Sequence, residues 1–216
     1  FDNSGFVITK AEEIKLPTDT ATTLVVDVIA TDDMPAESVV QQGLDSYDPT
    51  KYTSGMVINL HSDLDLSYLY MEAGTMPENI YFVLNGYNLG GCYNLSNLGE
   101  ISKMYVNISG AGAVYANAPP VQGTDEVIIE DWLIREEMNV ILESTVDSSH
   151  VRFVMEQNAS INLLKENRTI ENAANSGYSY VFYNELEGLC KTQIGSTSLY
   201  IEEISPAMIK NNTLDI

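Results

Sequence analysis

Short apolar runs alternate with turns rich in Gly, Asn and Pro along most of this chain. From Met56 onward the apolar centres fall near Ile58, Phe82, Val106, Ile128, Phe153, Val181 and Leu199-Tyr200, at spacings of 24, 24, 22, 25, 28 and about 18 residues. A spacing that recurs in the low twenties is what a solenoid produces when each turn contributes a similar strand. Within the runs, apolar and polar positions alternate. Met104, Val106 and Ile108 share one face of an extended segment, and Lys103, Tyr105 and Asn107 share the other. Val151, Phe153 and Met155 alternate in the same way with Arg152, Val154 and Glu156. Residues two apart point to the same side of a strand, so each run can bury one face. On this reading Asn107 faces solvent.

Residues 1–55 follow a different pattern. Phe6–Ile8 and Leu24–Ile29 read as strands, parted by Pro17 and a turn rich in Thr and Asp. Asp33–Gln42 predicts a short helix, with Asp33 as N-cap and Pro35 in its first turn. A second helix is expected over Glu166–Ala174. Turn signals stand at Asn85-Gly86, Gly90-Gly91, Gly110-Ala111-Gly112, Pro119-Pro120 and Gly123-Thr124. The expected organisation is an N-terminal cap or strand-exchange arm over 1–55 and a β-solenoid-like domain over 56–216.

One stretch goes beyond periodicity. Met56-Val57-Ile58-Asn59-Leu60-His61-Ser62-Asp63-Leu64-Asp65-Leu66 leads to Met71-Glu72-Ala73-Gly74-Thr75 and then to Ile80–Gly91, which contains Leu84-Asn85-Gly86-Tyr87-Asn88-Leu89-Gly90. This run resembles the opening turns of right-handed parallel β-helix (pectin-lyase-like) surface proteins, and Ile108–Val114 is similar to an inner turn of the same fold. The resemblance implies an all-β chain: a short right-handed parallel β-helix or solenoid carrying an N-terminal β-rich cap or arm. An antiparallel β-sandwich is the alternative that the strand spacing also allows. Such β-helices include polysaccharide lyases, glycoside hydrolases, adhesins and phage tailspikes, so the fold alone assigns no function.

Charge narrows the partners. The 216 residues carry 31 acidic and 10 basic side chains, a formal net charge of −21, with 44% hydrophobic residues. A field of this sign repels nucleic acid phosphates and anionic headgroups, so neither nucleic acid nor membrane is an expected partner. It attracts cations. The acidic turns include Asp63 with Asp65, Asp32-Asp33 with Glu37, and Asp45 with Asp48. Asp63 and Asp65, two apart in an extended segment, are the candidate ligands for Ca2+, and solvated turn carboxylates are the other reading. Cys92 and Cys190 either form one long-loop disulfide or remain as two buried thiols. Asn-X-Ser/Thr sites at Asn94, Asn107, Asn158, Asn167 and Asn211 are candidates for glycosylation, and turn-forming asparagines explain them equally well. No apolar run is long enough to cross a bilayer as a helix. The chain starts at Phe1, as expected of an exported protein that has lost its signal or of an excised piece.

Catalytic signals are sparse. His61 and His150 are the two histidines, and no Gly-X-Ser-X-Gly elbow, Cys-X-X-Cys or His-Glu-X-X-His accompanies them. Glu130-Asp131 and Glu136-Glu137 bracket Trp132, but adjacent strand residues face opposite ways and make poor acid–base dyads. Lys103, Arg135 and Arg152 are isolated bases. The thirteen tyrosines, among them Tyr68, Tyr70, Tyr178, Tyr180 and Tyr183, offer rigid amphipathic contact area, and half-buried strand packing accounts for them too. The expected function is therefore a non-catalytic extracellular or cell-surface protein, structural or adhesive, self-associating or binding other surface proteins or carbohydrate. A virion component, such as a capsid decoration or tail protein, is one alternative. A polysaccharide-active enzyme is the other.

Overall fold

The computed structural model describes residues 6–9, 13–72, 76–96, 103–119, 130–156 and 158–163, and then the backbone of strands as far as residue 214. The chain is mostly strand with few helices, and a parallel sheet forms its centre.

That sheet has eight strands. Six run parallel: β2 (Thr23–Val28), β3 (Gly55–Leu60), β5 (Asn79–Val83), β7 (Met104–Ser109), β10 (Met138–Leu142) and β13 (Ser160–Leu163). Their pairing is in register, so like side chains form rows. One row is Val26, Ile58, Phe82, Ile108 and Leu142; the next is Met56, Ile80, Val106, Val140 and Ile161. All of these are buried. Each such aliphatic side chain stabilises by roughly 1.5–3 kcal/mol on leaving water. The period-two alternation therefore fixes which face of the sheet looks inward.

Corners after these strands also stack. Short strands β4 (Leu64–Asp65) and β6 (Leu89–Gly90) pair parallel, as do β8 (Gly112–Ala113) and β11 (Val146–Asp147). Asn85 and Gly86 turn the chain with φ of 53° and 91°. That is the left-handed region, which Asn and Gly enter most readily, as the Asn85-Gly86 pair predicts. Beyond the corners, β9 (Glu130–Ile134) pairs parallel with β12 (Val151–Met155), and Trp132 packs against Phe153 with ring centroids 5.7 Å apart.

Among the described residues two α-helices accompany the strands. α1 (Ala36–Asp45) buries Ala36, Val40 and Leu44 and lies against β2. Gly43 makes the approach close, since a Cβ there would sit 2.6 Å from a Val26 methyl. The sequence placed the start of this helix two residues early. Pro35, not Asp33, is the N-cap, because Thr31 and Met34 exchange backbone hydrogen bonds that hold Asp33 in a turn. The single turn α2 (Tyr93–Ser96) carries the Ser96 hydroxyl to the Leu133 carbonyl.

Strands recur near Val181 and Leu199-Tyr200 as expected, but the parallel stacking does not continue to the end of the chain. Ile58, Phe82 and Val106 lie in the parallel sheet, Ile128 is outside the described residues, and Phe153 belongs to the β9–β12 pair. After β13 the pairing turns antiparallel. β14 (Arg168–Asn172) pairs antiparallel with β13 and with β1 (Phe6–Thr9). β15 (Tyr178–Tyr183) pairs antiparallel with β12, followed by β16 (Cys190–Ile194) and β17 (Thr197–Ile201). A loop of two to six residues can close a hairpin but cannot make a parallel crossover, which needs about a dozen. The helix expected over Glu166–Ala174 is strand β14, where Thr169 and Ile170 supply β-branched side chains. From the segment 1–55, β1 and β2 belong to the main sheet, and β2 pairs along its whole length with β3.

Candidate binding surface

The candidate site is built on the segment after β4. Asp65 caps a 3-10 turn over Leu66–Tyr68, its carboxylate accepting from the Ser67 N–H at 2.9 Å and the Ser67 hydroxyl at 2.5 Å. Leu66 and Leu69 are buried and anchor the turn to the core. Tyr68 and Tyr70 point the other way and are 77% and 72% exposed, the most exposed of the large apolar or aromatic side chains described.

Two amides from distant parts of the chain hold this backbone. Gln41 on α1 makes a reciprocal pair with Tyr70: its Oε1 accepts the Tyr70 N–H at 2.8 Å, and its Nε2 donates to the Tyr70 carbonyl at 3.1 Å. Asn94 on α2 donates its Nδ2 to the carbonyls of Leu66 and Leu69 at 2.7 and 3.0 Å. Glu37 on α1 accepts the Asp65 N–H at 3.2 Å. The two tyrosines are thus presented from a backbone fixed on both sides, with two χ angles each left to order on binding. A rigid aromatic edge of this kind binds at low entropic cost. Gln41 and Asn94 were not legible as site residues, because each reaches the segment across 25 or more positions.

The predicted acidic ligands are occupied by the protein itself. Asp63 accepts the Asn88 N–H at 2.8 Å, and Asp65 serves the cap at Ser67. Among the described residues no three His, Cys, Asp or Glu side chains gather in a metal-binding cluster. The same use of carboxylates recurs at other turns. Glu143 accepts the Gly110 N–H at 2.7 Å, Glu130 that of Asn117 at 3.2 Å, and Glu156 that of Glu136 at 3.1 Å. Asp48 accepts the Thr50 hydroxyl and N–H, which hold its carboxyl below the usual range. Part of the acidic excess therefore consists of carboxylates that cap turn N–H groups.

The remaining candidates scatter. His61 lies 3.7 Å from Asp27, and His150 stacks on Tyr115 at 4.8 Å and lies 3.8 Å from Asp147. Arg135 pairs with Glu156 at 3.3 Å, and Lys103 sits over the Tyr105 ring. Trp132, bracketed by acids in sequence, is fully buried. The side chains of Arg152, Tyr178, Tyr180 and Tyr183 lie outside the described residues.

Cys92 is a buried free thiol, and burial pushes it well above its ordinary pKa. The side chain of Cys190, on β16, is outside the described residues. Asn107 does not face solvent as the alternation implied. It is buried between Tyr81 and Ile141 on the outer face and donates to the Ile80 carbonyl at 3.3 Å. Asn94 likewise uses its Nδ2 within the fold, whereas Asn158 is exposed. Asn167 and Asn211 lie outside the described residues.

No protein-family model, curated protein or solved structure matches the chain. The functional reading rests on geometry.

Proposed function

We propose that this chain is a non-catalytic extracellular protein, structural or adhesive, whose Tyr68–Tyr70 edge contacts neutral carbohydrate on a surface. The observation that carries the reading is the clamped exposure of these two tyrosines. Water-facing aromatic rings carry a cost that packing would relieve, yet Gln41 and Asn94 hold the backbone so that both rings stay outside. Tyrosine supplies an apolar face for stacking and a hydroxyl for hydrogen bonds. The net charge of −21 disfavours acidic glycans and leaves neutral ones as the matching class.

The finer fold belongs to the same proposal. Parallel main-sheet strands, in-register apolar rows and paired corners support a short right-handed parallel β-helix. A stack of this kind is a rigid scaffold suited to carrying a contact edge away from an anchoring surface.

Native affinity electrophoresis through gels containing xylan, mannan or β-glucan tests the reading. Retardation by at least one polysaccharide, lost in the Tyr68→Ala/Tyr70→Ala variant at unchanged melting temperature, is the expected result. Release of new reducing ends from the gel polysaccharide would favour the enzymatic alternative and overturn it. So would equal mobility of both proteins in every gel.

A further inference from the structure

The position of β1 sets a topological problem. The main sheet runs in the order β1-β14-β13-β10-β7-β5-β3-β2, so the first two strands of the chain occupy its opposite edges. Crossing eight strands covers about 34 Å at the usual spacing of 4.7–4.9 Å. Followed across the sheet, the pairings put Thr9 level with Val25 and Val7 level with Thr23. β1 therefore runs in the same direction as β2, and the chain between Thr9 and Thr23 has to connect the two edges.

The number of residues leaves that connection little slack. Asp19–Thr22 form a turn, closed by the Thr22 N–H on the Asp19 carbonyl and by the Ala21 N–H on the Asp19 carboxylate. A turn advances the chain by less than about 7 Å. Residues 10–18, fully drawn out, add only about 30–35 Å. From Glu13 to Ala21 the linker is almost wholly exposed, Leu16 included, so it gains little from lying along its own chain. A short connection with an exposed stretch, next to an exchangeable strand, is the arrangement that favours swapping between copies.

The edges are suited to it. Among the described residues the outer edge of β2 has no strand partner, and Val25 and Ile29 beside it are exposed. The linker is about a dozen residues long, which is what a crossover between adjacent parallel strands requires. A β1 that lay beside its own β2 would meet that need and would leave its other edge open to the β14 of another molecule.

We propose that β1 is exchanged between copies of this chain: Phe6–Thr9 of one copy pairs antiparallel with Arg168–Asn172 of the next, joining the sheets head to tail. The β1–β14 register is the same whichever copy donates the strand. In trans the linker need cross one strand spacing instead of seven, and an edge that would otherwise invite nonspecific pairing is covered. The exchange deepens the structural reading above by naming the partner as a second copy, and it does not depend on the tyrosine edge.

Cysteine cross-linking of the full chain separates the arrangements. Val7 and Glu171 are register partners, so Val7→Cys and Glu171→Cys are introduced in a Cys190→Ser background, both together and in separate chains. Exchange predicts a ladder of disulfide-linked multimers from the double variant. It also predicts a two-chain product when the single variants are refolded together and oxidised. Inserting six Gly/Ser residues after Leu16 should relieve the tether and return the double variant to an internally linked monomer, while deleting residues 13–15 should lengthen the ladder. An internally linked monomer from the double variant at every protein concentration would overturn the exchange while leaving carbohydrate binding to its own test. Absence of any cross-link would remove the β1–β14 pairing and the proposal with it.

Discussion

The carboxylate of Asp63 accepts the backbone N–H of Asn88, 25 residues further on, at 2.8 Å. Asn88 passes the link on, its Oδ1 accepting the N–H of Ala113 at 3.3 Å, again across 25 residues. A polar ladder therefore runs up the corners beside the apolar rows and fixes how successive strands stack. Asp63→Ala should lower stability by about 1 kcal/mol, and Asn88→Ala, which removes the acceptor of the Ala113 N–H but keeps the backbone N–H that Asp63 accepts, by a similar amount, read from urea unfolding. Because Asp63 and Asp65 already serve protein donors, adding Ca2+ or EDTA should leave the melting temperature unchanged. A calcium-dependent rise that Asp63→Ala abolishes would contradict this assignment.

Two glycines at neighbouring turns should respond very differently to a methyl group. Gly91 has φ +67°, and a Cβ there would fall 2.6 Å from the Asp65 carboxylate, inside the cap that orders the tyrosine segment. Gly91→Ala should cost on the order of 3–5 kcal/mol. Gly86 has φ +91° but nothing within 4 Å of its Cβ position, so Gly86→Ala should cost only about 1–2 kcal/mol of backbone strain. Similar losses in paired unfolding curves would mean that the corner is not packed as described.

Burial of Cys92 makes stability depend on alkaline pH. Its thiol stays protonated in the folded protein because burial disfavours the thiolate, whereas in the unfolded chain it ionises near its ordinary pKa of about 8.5. The folded state then holds the extra proton. Stability from this group is fully present below the unfolded pKa and falls as pH rises above it, by up to about 1.4 kcal/mol per pH unit. Urea unfolding from pH 8 to 10.5 should show this fall, and Cys92→Ala should show less of it. The native thiol should also resist alkylation at pH 8, and rapid labelling without unfolding would refute its burial.

Legibility followed the range of the forces involved. The rows through Ile58, Phe82 and Val106 could be read because alternation is a local property of each strand. So could the Asn85-Gly86 corner, where backbone sterics choose the residues. Strand direction was not legible: a hairpin and a parallel crossover give Val181 and Phe82 the same apolar signature, and only loop length and packing separate them. Asn107 was misread because alternation says which way a side chain points but not what covers it. At the site, the exposed Tyr68 and Tyr70 were visible only as two of many tyrosines. The Gln41 pairing that orders them links positions 29 residues apart, with no local signal.

Polysaccharide binding by three proteins in parallel tests the central claim: wild type, Tyr68→Ala/Tyr70→Ala and Gln41→Ala. Mobility is measured against the concentration of the neutral polysaccharide that retards the wild type. Two stacked rings at about 0.5–1.5 kcal/mol each predict affinity roughly 5- to 150-fold weaker for the double variant. Gln41→Ala keeps both rings but frees their backbone, so it should fall between the other two. Retardation that is identical for all three proteins would contradict the account.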